Sequence, residues 1–412
     1  MKVLQINSVY NQGSTGKITY DIHKYLQSRK IESIVCYGRG KKVNETNIYK
    51  VCGEFYSHIN HVIANLRGIM YGNFYFSTKK IISIIKKENP DIVHLQCINC
   101  YFVNIYKLIA WLKENNIKTI ITLHAEFIYT ANCGHALECE KWKTGCGNCP
   151  RFKQETNSFF IDNTHKSWEL MKKSFNGFNN NLIVVSVSHW LMERAKVSPI
   201  LKDKKHEVIL NGLDINIFHY YNVFDLKKEY ENNIILFHVT PNFNNNINNI
   251  KGGYYIIELA KRLQDKNIKI VVAGDYDKNL KLPKNVILLG NISNQELLAK
   301  YYSLADITLL TSKRETFSMV TAESLCCGTP VVGFKAGAPE QIALREYSKF
   351  VEYGDVKSLY VGIKEILNKN INKKKLSNLA AKKYSNEIMG EEYLKLYNRL
   401  LSTGENDNEK SR

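Results

Sequence analysis

KRETFSMVTAESLCCGTPVVGFKAGAPEQI, residues 313–342, is the stretch whose reading decides the fold. Glu315 stands just before an expected helix start at Thr316–Ser318, and Glu323 follows eight positions on. That spacing is a little over two helical turns, so both carboxylates can face one cleft. Gly328 and Pro330 then stop the helix and launch a buried strand. A helix N-terminus offers unpaired N–H groups and a positive dipole end, which suit a diphosphate. A carboxylate farther along can take both hydroxyls of a ribose. Taken singly, either glutamate reads more readily as a solvated helix charge.

Working outward, short apolar runs alternate with amphipathic segments. Val3–Ile6, Ser33–Tyr37, Ile92–Leu95, Thr119–Leu123 and Leu182–Val187 read as buried strands. A second group follows at Ile234–Val239, Ile268–Ala273, Val286–Leu289, Ile307–Thr311 and Pro330–Phe334. Helical patterns such as Tyr254–Leu263 and Gln295–Ser303 lie between them. Strand–helix–strand repetition predicts α/β architecture, with parallel sheets covered by helices on both faces. Two groups imply two doubly wound domains whose ligands bind at the carboxyl ends of the strands. The turn-rich passage NGLDINIF marks the boundary near Asn211–Tyr221, and NFNNNINN at Asn242–Asn249 reads as a polar surface loop.

Bulk properties bound the function. A chain of 412 residues, 44% hydrophobic and 23% charged, suits two or three ordinary folded domains. The net charge of +18 attracts nucleic acid, anionic membrane or phosphorylated substrates alike, and abundant Lys, Asn, Ile and Tyr point partly to an AT-rich genome. No charged n-region precedes an apolar h-region at the N-terminus, and no apolar run approaches the ~20 residues of a membrane helix. A cytoplasmic location is expected. The ten cysteines are then thiols or metal ligands more readily than disulfides.

NQGSTGKIT, Asn11–Thr19, has the glycines, hydroxyls and lysine of a phosphate loop. It is not a Walker loop, because Asn11 replaces the first glycine and Ile18 the Mg²⁺-binding hydroxyl. Gly13 and Gly16 let a ligand approach the backbone closely. In ITLHAEFIYTANCGHALECEKWKTGCGNCP, Ile121–Pro150, His124 ends a buried strand, where a catalytic or sugar-binding residue belongs. Cys133, Cys139, Cys146 and Cys149 follow as C-x₅-C-x₆-C-x₂-C. This set reads as a structural zinc site with His135 as a spare ligand, as two disulfides, or as free thiols. Cys97 and Cys100 form a C-x-x-C without a thioredoxin context.

The whole pattern resembles the E-x₇-E signature of retaining glycosyltransferases of family 4, which have the two-Rossmann GT-B architecture. GTPVVG and Gly337–Glu340 (GAPE) continue the likeness, as do SVSHWLMERAK, EVILNGLDINIF and LADITLLTS. The resemblance implies Glu315 beside the donor sugar and Glu323 on the nucleotide ribose. The backbone of Phe317, Ser318, Met319 and Val320 would hold the diphosphate or sugar. Lys251–Gly252 resembles the basic element on the donor phosphates, Gly13 and Gly16 would let donor phosphate and acceptor approach the backbone, and Glu315, Lys251 and His124 would form the catalytic set. The arginine usual before that element is missing from HVTPNFNNNINNIKG, so Lys313 or Arg314 is a candidate substitute cation. Where the family continues H-D-x-W, this chain has Ala125 and Phe127. The cysteine cluster resembles one in a subgroup that assembles surface polysaccharides.

The expected organisation is therefore an N-terminal Rossmann-like acceptor domain over 1–215 and a nucleotide-sugar domain over 216–385. A crossover helix, 386–403, returns to the first domain across from the donor half, and a disordered tail covers 404–412. The expected reaction moves a sugar from a UDP- or GDP-sugar to a glycan or lipid-linked glycan for capsule, O-antigen or exopolysaccharide, with no cofactor required for catalysis. Basic segments Arg39–Lys42, Lys79–Lys87 and Lys172–Lys173 can rest on anionic membrane, or can be ordinary solvated faces. Two alternatives stand beside this reading. One is a nucleotide-sugar epimerase or non-catalytic glycan binder of the same fold. The other is a zinc-containing nucleic-acid-binding protein, although no RNA-stacking motif or DNA-reading helix is visible, so no nucleic-acid partner is expected.

Overall fold

A computed structural model describes residues 1–230, 233–263 and 267–402. The tail expected over 404–412 lies outside the described residues. The chain divides into two units, Met1–Leu210 with Met389–Arg412, and Asn211–Ile388.

The first unit holds a seven-stranded parallel sheet. Its strands are β1 (Lys2–Asn7), β2 (Glu32–Tyr37), β3 (Ile48–Lys50), β4 (Ile92–Leu95), β5 (Thr119–Leu123), β6 (Leu182–Ser186) and β7 (Lys205–Val208), in the order β3-β2-β1-β4-β5-β6-β7. The second holds six, β8 (Ile234–Phe243), β9 (Ile268–Tyr276), β10 (Val286–Gly290), β11 (Ile307–Leu310), β12 (Val331–Phe334) and β13 (Ser348–Val351), in the order β10-β9-β8-β11-β12-β13. All ten apolar runs picked from the sequence are strands. They are nearly continuous in Val, Ile and Leu because helices cover both sheet faces. Leu4 on β1, for example, pairs with Ile34 on one side and Val93 on the other.

Six helices matter below: α1 (Gly13–Ser28), α2 (Glu54–Arg67), α3 (Tyr75–Glu88), α4 (Gly253–Arg262), α5 (Met319–Cys326) and α6 (Asn386–Ser402). NQGSTGKIT is therefore not one loop: a short turn ends at Gln12, and Gly13 opens α1. The expected loop at Asn242–Asn249 also begins later, since β8 runs on through Phe243 beside β9 after a shift in register.

From Met389 onward α6 belongs to the first unit. Its Met389, Tyr393, Leu396, Tyr397 and Leu400 join a core with Val3, Ile22, Leu26, Ile92 and Val185. Each fully buried apolar side chain there contributes roughly 1.5–3 kcal/mol. Gly390 lets α6 settle onto α1, because a Cβ there would lie 2.4 Å from the Tyr25 ring. The contact is polar as well. Tyr397 Oη lies 2.7 Å from His94 Nδ1, while His94 Nε2 and Tyr393 Oη are each 2.8 Å from Thr122 Oγ1. Burial holds the His94 imidazole down at about 3, so this network works with a neutral ring.

Candidate functional site

In the second unit the strand order reverses between β8 and β11, and such switch points in open α/β sheets are where ligands bind. The loops leaving these two strands are tied together. Lys313 N donates to Ile250 O at 2.7 Å, and Thr311 Oγ1 donates to Gly252 O at 3.0 Å. Gly252 has φ +70°, and a Cβ on it would sit 2.0 Å from Thr311 O. Only glycine fits there, and Lys251 is thereby fixed at the rim. Its Nζ lies 2.7 Å from Glu315 Oε1, with the carboxylate mostly sheltered. His238, on β8, is buried with Nδ1 3.1 Å from Leu309 O; burial holds its imidazole at about 4, and the Lys251 charge adds to this.

Glu315 is also held through its backbone. Its N–H donates to Ala336 O at 2.9 Å, and Ala338 N donates to Glu315 O at 3.2 Å. The Glu340 carboxylate accepts from Ala336 N and Gly337 N, both at 3.0 Å. Thus the GAPE segment builds the platform on which Glu315 rests. Ser318 caps α5 with its Oγ accepting from Thr321 N, and does so at φ +84°, an uncommon conformation for a side-chain-bearing residue. Phe317 and Ser318 precede the helix, and Met319 and Val320 form its first turn, where N–H groups lack intrahelical acceptors. Glu323 lies one turn farther on and accepts from Tyr302 Oη at 2.9 Å. Burial and the Glu323 charge push the Tyr302 hydroxyl well up, so it remains a donor.

The two glutamates therefore have separate partners. Lys251, Glu315 and the approach to α5 come together; Gly13, Gly16 and His124 belong to the first unit. There, Gly16 O accepts from Asn11 N at 3.0 Å and closes the turn after β1. The sheet order reverses between β1 and β4, and Asn7 Oδ1 accepts from Cys97 N at 3.0 Å across that point. His124, at the end of β5, donates from Nε2 to Gln96 Oε1 at 2.8 Å, and Gln96 Nε2 donates to Gln5 Oε1 at 3.2 Å. Burial holds the His124 ring at about 4. Gln96, Tyr302 and Glu340 were not singled out from the sequence; only Glu340 carried a signal, as the last letter of GAPE.

Glu126, beside His124, is a structural anchor. It is fully buried, accepts from Arg194 Nε at 2.9 Å, and also accepts from Ala136 N in the cysteine loop. Arg194 in turn lies 5.1 Å from the ring centroids of Trp142 and Trp190. The zinc expectation for Cys133, Cys139, Cys146 and Cys149 needs correction. All four are free, and among the described residues no three His, Cys, Asp or Glu are arranged to hold a metal ion. Cys146 Sγ is turned toward Thr130 O, 3.6 Å away. Burial, reinforced by neighbouring thiols, raises Cys133 and Cys146 to about 12. The loop is pinned by Glu126, Arg194 and tryptophan packing. Among the described residues no helix is long and apolar enough to cross a membrane.

Two parallel doubly wound units, one with a cation–carboxylate pair ahead of a helix N-terminus, define a GT-B-type glycosyltransferase. Residues 15–217 match the family model "Glycosyltransferase Family 4" and residues 216–383 match "Glycosyl transferases group 1". The chain belongs to glycosyltransferase family 4. The N-acetyl-alpha-D-glucosaminyl L-malate synthase of Bacillus anthracis is 24% identical, over 67% of this chain and 65% of that protein. The putative colanic acid biosynthesis glycosyl transferase WcaC of Escherichia coli K12 is 20% identical, over 97% and 100%. Among solved structures, sucrose-phosphate synthase from Thermosynechococcus elongatus superposes with a TM-score of 0.70 at 14% identity, over 98% of this chain and 100% of that one. Anabaena HepE in complex with UDP gives 0.64 at 14% identity, over 97% and 100%.

Proposed function

We propose that the protein is a retaining hexosyltransferase of surface-polysaccharide assembly. It takes a UDP- or GDP-linked sugar as donor and a glycan or lipid-linked glycan as acceptor, at the cytoplasmic side of an anionic membrane. The Lys251–Glu315 pair carries the reading, because it puts a cation and a carboxylate where the sugar–diphosphate bond would break. As that bond breaks, the departing diphosphate oxygen gains charge; Lys251 and the N–H groups of Met319 and Val320 stabilise it without reorganising. Glu315 orients the sugar, Phe317 and Ser318 shape the approach, and Glu323, oriented by Tyr302, takes the ribose. In the first unit Gly13 leaves the start of α1 open to donor phosphate and acceptor, Gly16 lets the β1 turn pack closely beneath it, and Gln96 holds His124 with Nε2 protonated.

The WcaC likeness and the capsular polysaccharide biosynthesis glycosyltransferase CapM of Staphylococcus aureus, 23% identical over 54% of this chain and 63% of that one, support the polysaccharide assignment. Family membership does not favour the epimerase, glycan-binder or nucleic-acid alternatives. The test is acceptor-dependent release of nucleoside diphosphate from a panel of UDP- and GDP-sugars. Lys251→Ala and Glu315→Ala are each expected to lower kcat by about 10²–10³-fold. Wild-type rates in both variants would overturn the assignment.

A further inference from the structure

The face of α2 that the fold leaves outward is apolar. Phe55, Ile59, Val62, Ile63 and Leu66 recur at helical spacing and are all exposed, Phe55 at 79%. The buried side of the same helix is built instead from Ser57, Asn60, Ala64 and Asn65. The hydrophobic stripe is therefore directed away from the core, the reverse of an ordinary surface helix. Two neighbours extend it. Phe76, 71% exposed, opens α3 with its N–H on Tyr56 Oη at 3.0 Å. The segment carrying Phe160, 84% exposed, joins the other end through Phe159 N on Asn65 O and Asn163 Nδ2 on Arg67 O. A contiguous patch of this kind marks an interaction surface.

Charge selects the occupant. The Phe76 face of α3 continues into exposed Lys79 and Lys80, the latter with Nζ on Lys50 O at 2.9 Å, while Lys87 beyond them pairs with Glu88; Lys107 Nζ lies over the Tyr75 ring. The acids bordering the patch are committed elsewhere: Glu54 to Arg39 and Lys50, Asp162 to Cys149 N and Thr164. A second copy of the chain would bring like charges together, whereas an anionic bilayer answers both the apolar and the basic parts. We propose that α2, with Phe76 and Phe160 beside it, is a membrane-docking face that sinks its stripe into the headgroup layer while the α3 lysines engage anionic lipid. The proposal deepens the function above, because a lipid-linked acceptor is met at such a surface. Its deciding readout, vesicle flotation, needs no transfer chemistry.

The experiment is flotation of the full chain with phosphatidylglycerol–phosphatidylcholine vesicles and with phosphatidylcholine alone. Wild type is expected to float with the anionic vesicles and much less with the neutral ones. Ile59→Asp/Ile63→Asp, both exposed positions, should lower the bound fraction about tenfold or more with an unchanged melting temperature. Lys79→Glu/Lys80→Glu should lower it several-fold, and more at low salt. Turnover of a water-soluble acceptor should be unchanged in the α2 variant, and Lys251→Ala should still float, so docking and chemistry fail separately. Equal flotation of wild type and the α2 variant would overturn the proposal, as would wild type that does not float. A dimer abolished by Ile59→Asp/Ile63→Asp without any vesicle binding would assign the face to a second copy instead.

Discussion

Gly252 shows how much one residue can decide. At φ +70°, with Thr311 O lying 2.0 Å from where a Cβ would be, the position excludes any side chain. Gly252→Ala is expected to destabilise the second unit by about 2–4 kcal/mol and to remove donor-dependent thermal stabilisation, read by melting with and without nucleotide sugar. Tyr302 offers a milder probe. Without its hydroxyl, Glu323 loses the donor that orients it, 2.9 Å away. Tyr302→Phe should raise the donor KM about three- to tenfold while changing kcat less. An unaltered KM would show that the Tyr302 hydroxyl does not bear on nucleotide binding. Lys251 and Glu315 were each singled out in the sequence by their separate motifs, but their direct pairing, across 64 positions, was not. Nor was the Gln96–His124 contact, since its partners come from different strands and neither lies in a spacing that betrays the other.

Among the elements, α6 carries the clearest structural prediction. Tyr397→Phe leaves His94 Nδ1 in a dry core without its hydroxyl partner, an expected cost of about 1–3 kcal/mol in urea denaturation. Tyr393→Phe should behave similarly through Thr122. The apolar face of this helix was readable from its tyrosines and leucines, but not its pairing with His94, a residue 303 positions away. The central strands were readable because both faces are buried. Three of the four edge strands, β3, β7 and β13, are three or four residues long and partly solvated, so no continuous apolar run announces them; the fourth, β10, is partly solvated too but keeps the apolar run Val286–Leu289. α2 was not singled out from the sequence, although Phe55, Ile59, Val62, Ile63 and Leu66 stand there at helical spacing. What periodicity cannot reveal is whether the stripe faces the core or the solvent, and here it faces the solvent.

Across the described residues, buried and half-buried histidines set the acid response. Burial depresses His23, His94 and His124 in the first unit, to about 4, 3 and 4, and His238 in the second to about 4. An unfolded histidine titrates near about 6.5, so each contributes stability that is whole above that value and is lost as pH falls toward the folded one. The loss approaches about 2 kcal/mol per fully shifted histidine at about pH 5. Burial also depresses His61 and His206, so five of the six lowered histidines lie in the first unit, which should weaken more. Trp111, Trp142, Trp168 and Trp190, the only tryptophans, all lie in it. Between about pH 7.5 and about pH 5, the tryptophan fluorescence transition should therefore move to lower urea farther than the far-ultraviolet circular dichroism transition. Coincident shifts would refute this.

The return of α6 to the first unit also orders events on the ribosome. Met1–Leu210 emerges early, yet the groove that Met389–Leu400 fills stays open until all of Asn211–Ile388 has been made. At about 5–20 residues per second, that wait is on the order of ten seconds or more. A chaperone-depleted translation should lose this protein more readily than a circular permutant in which α6 is made first.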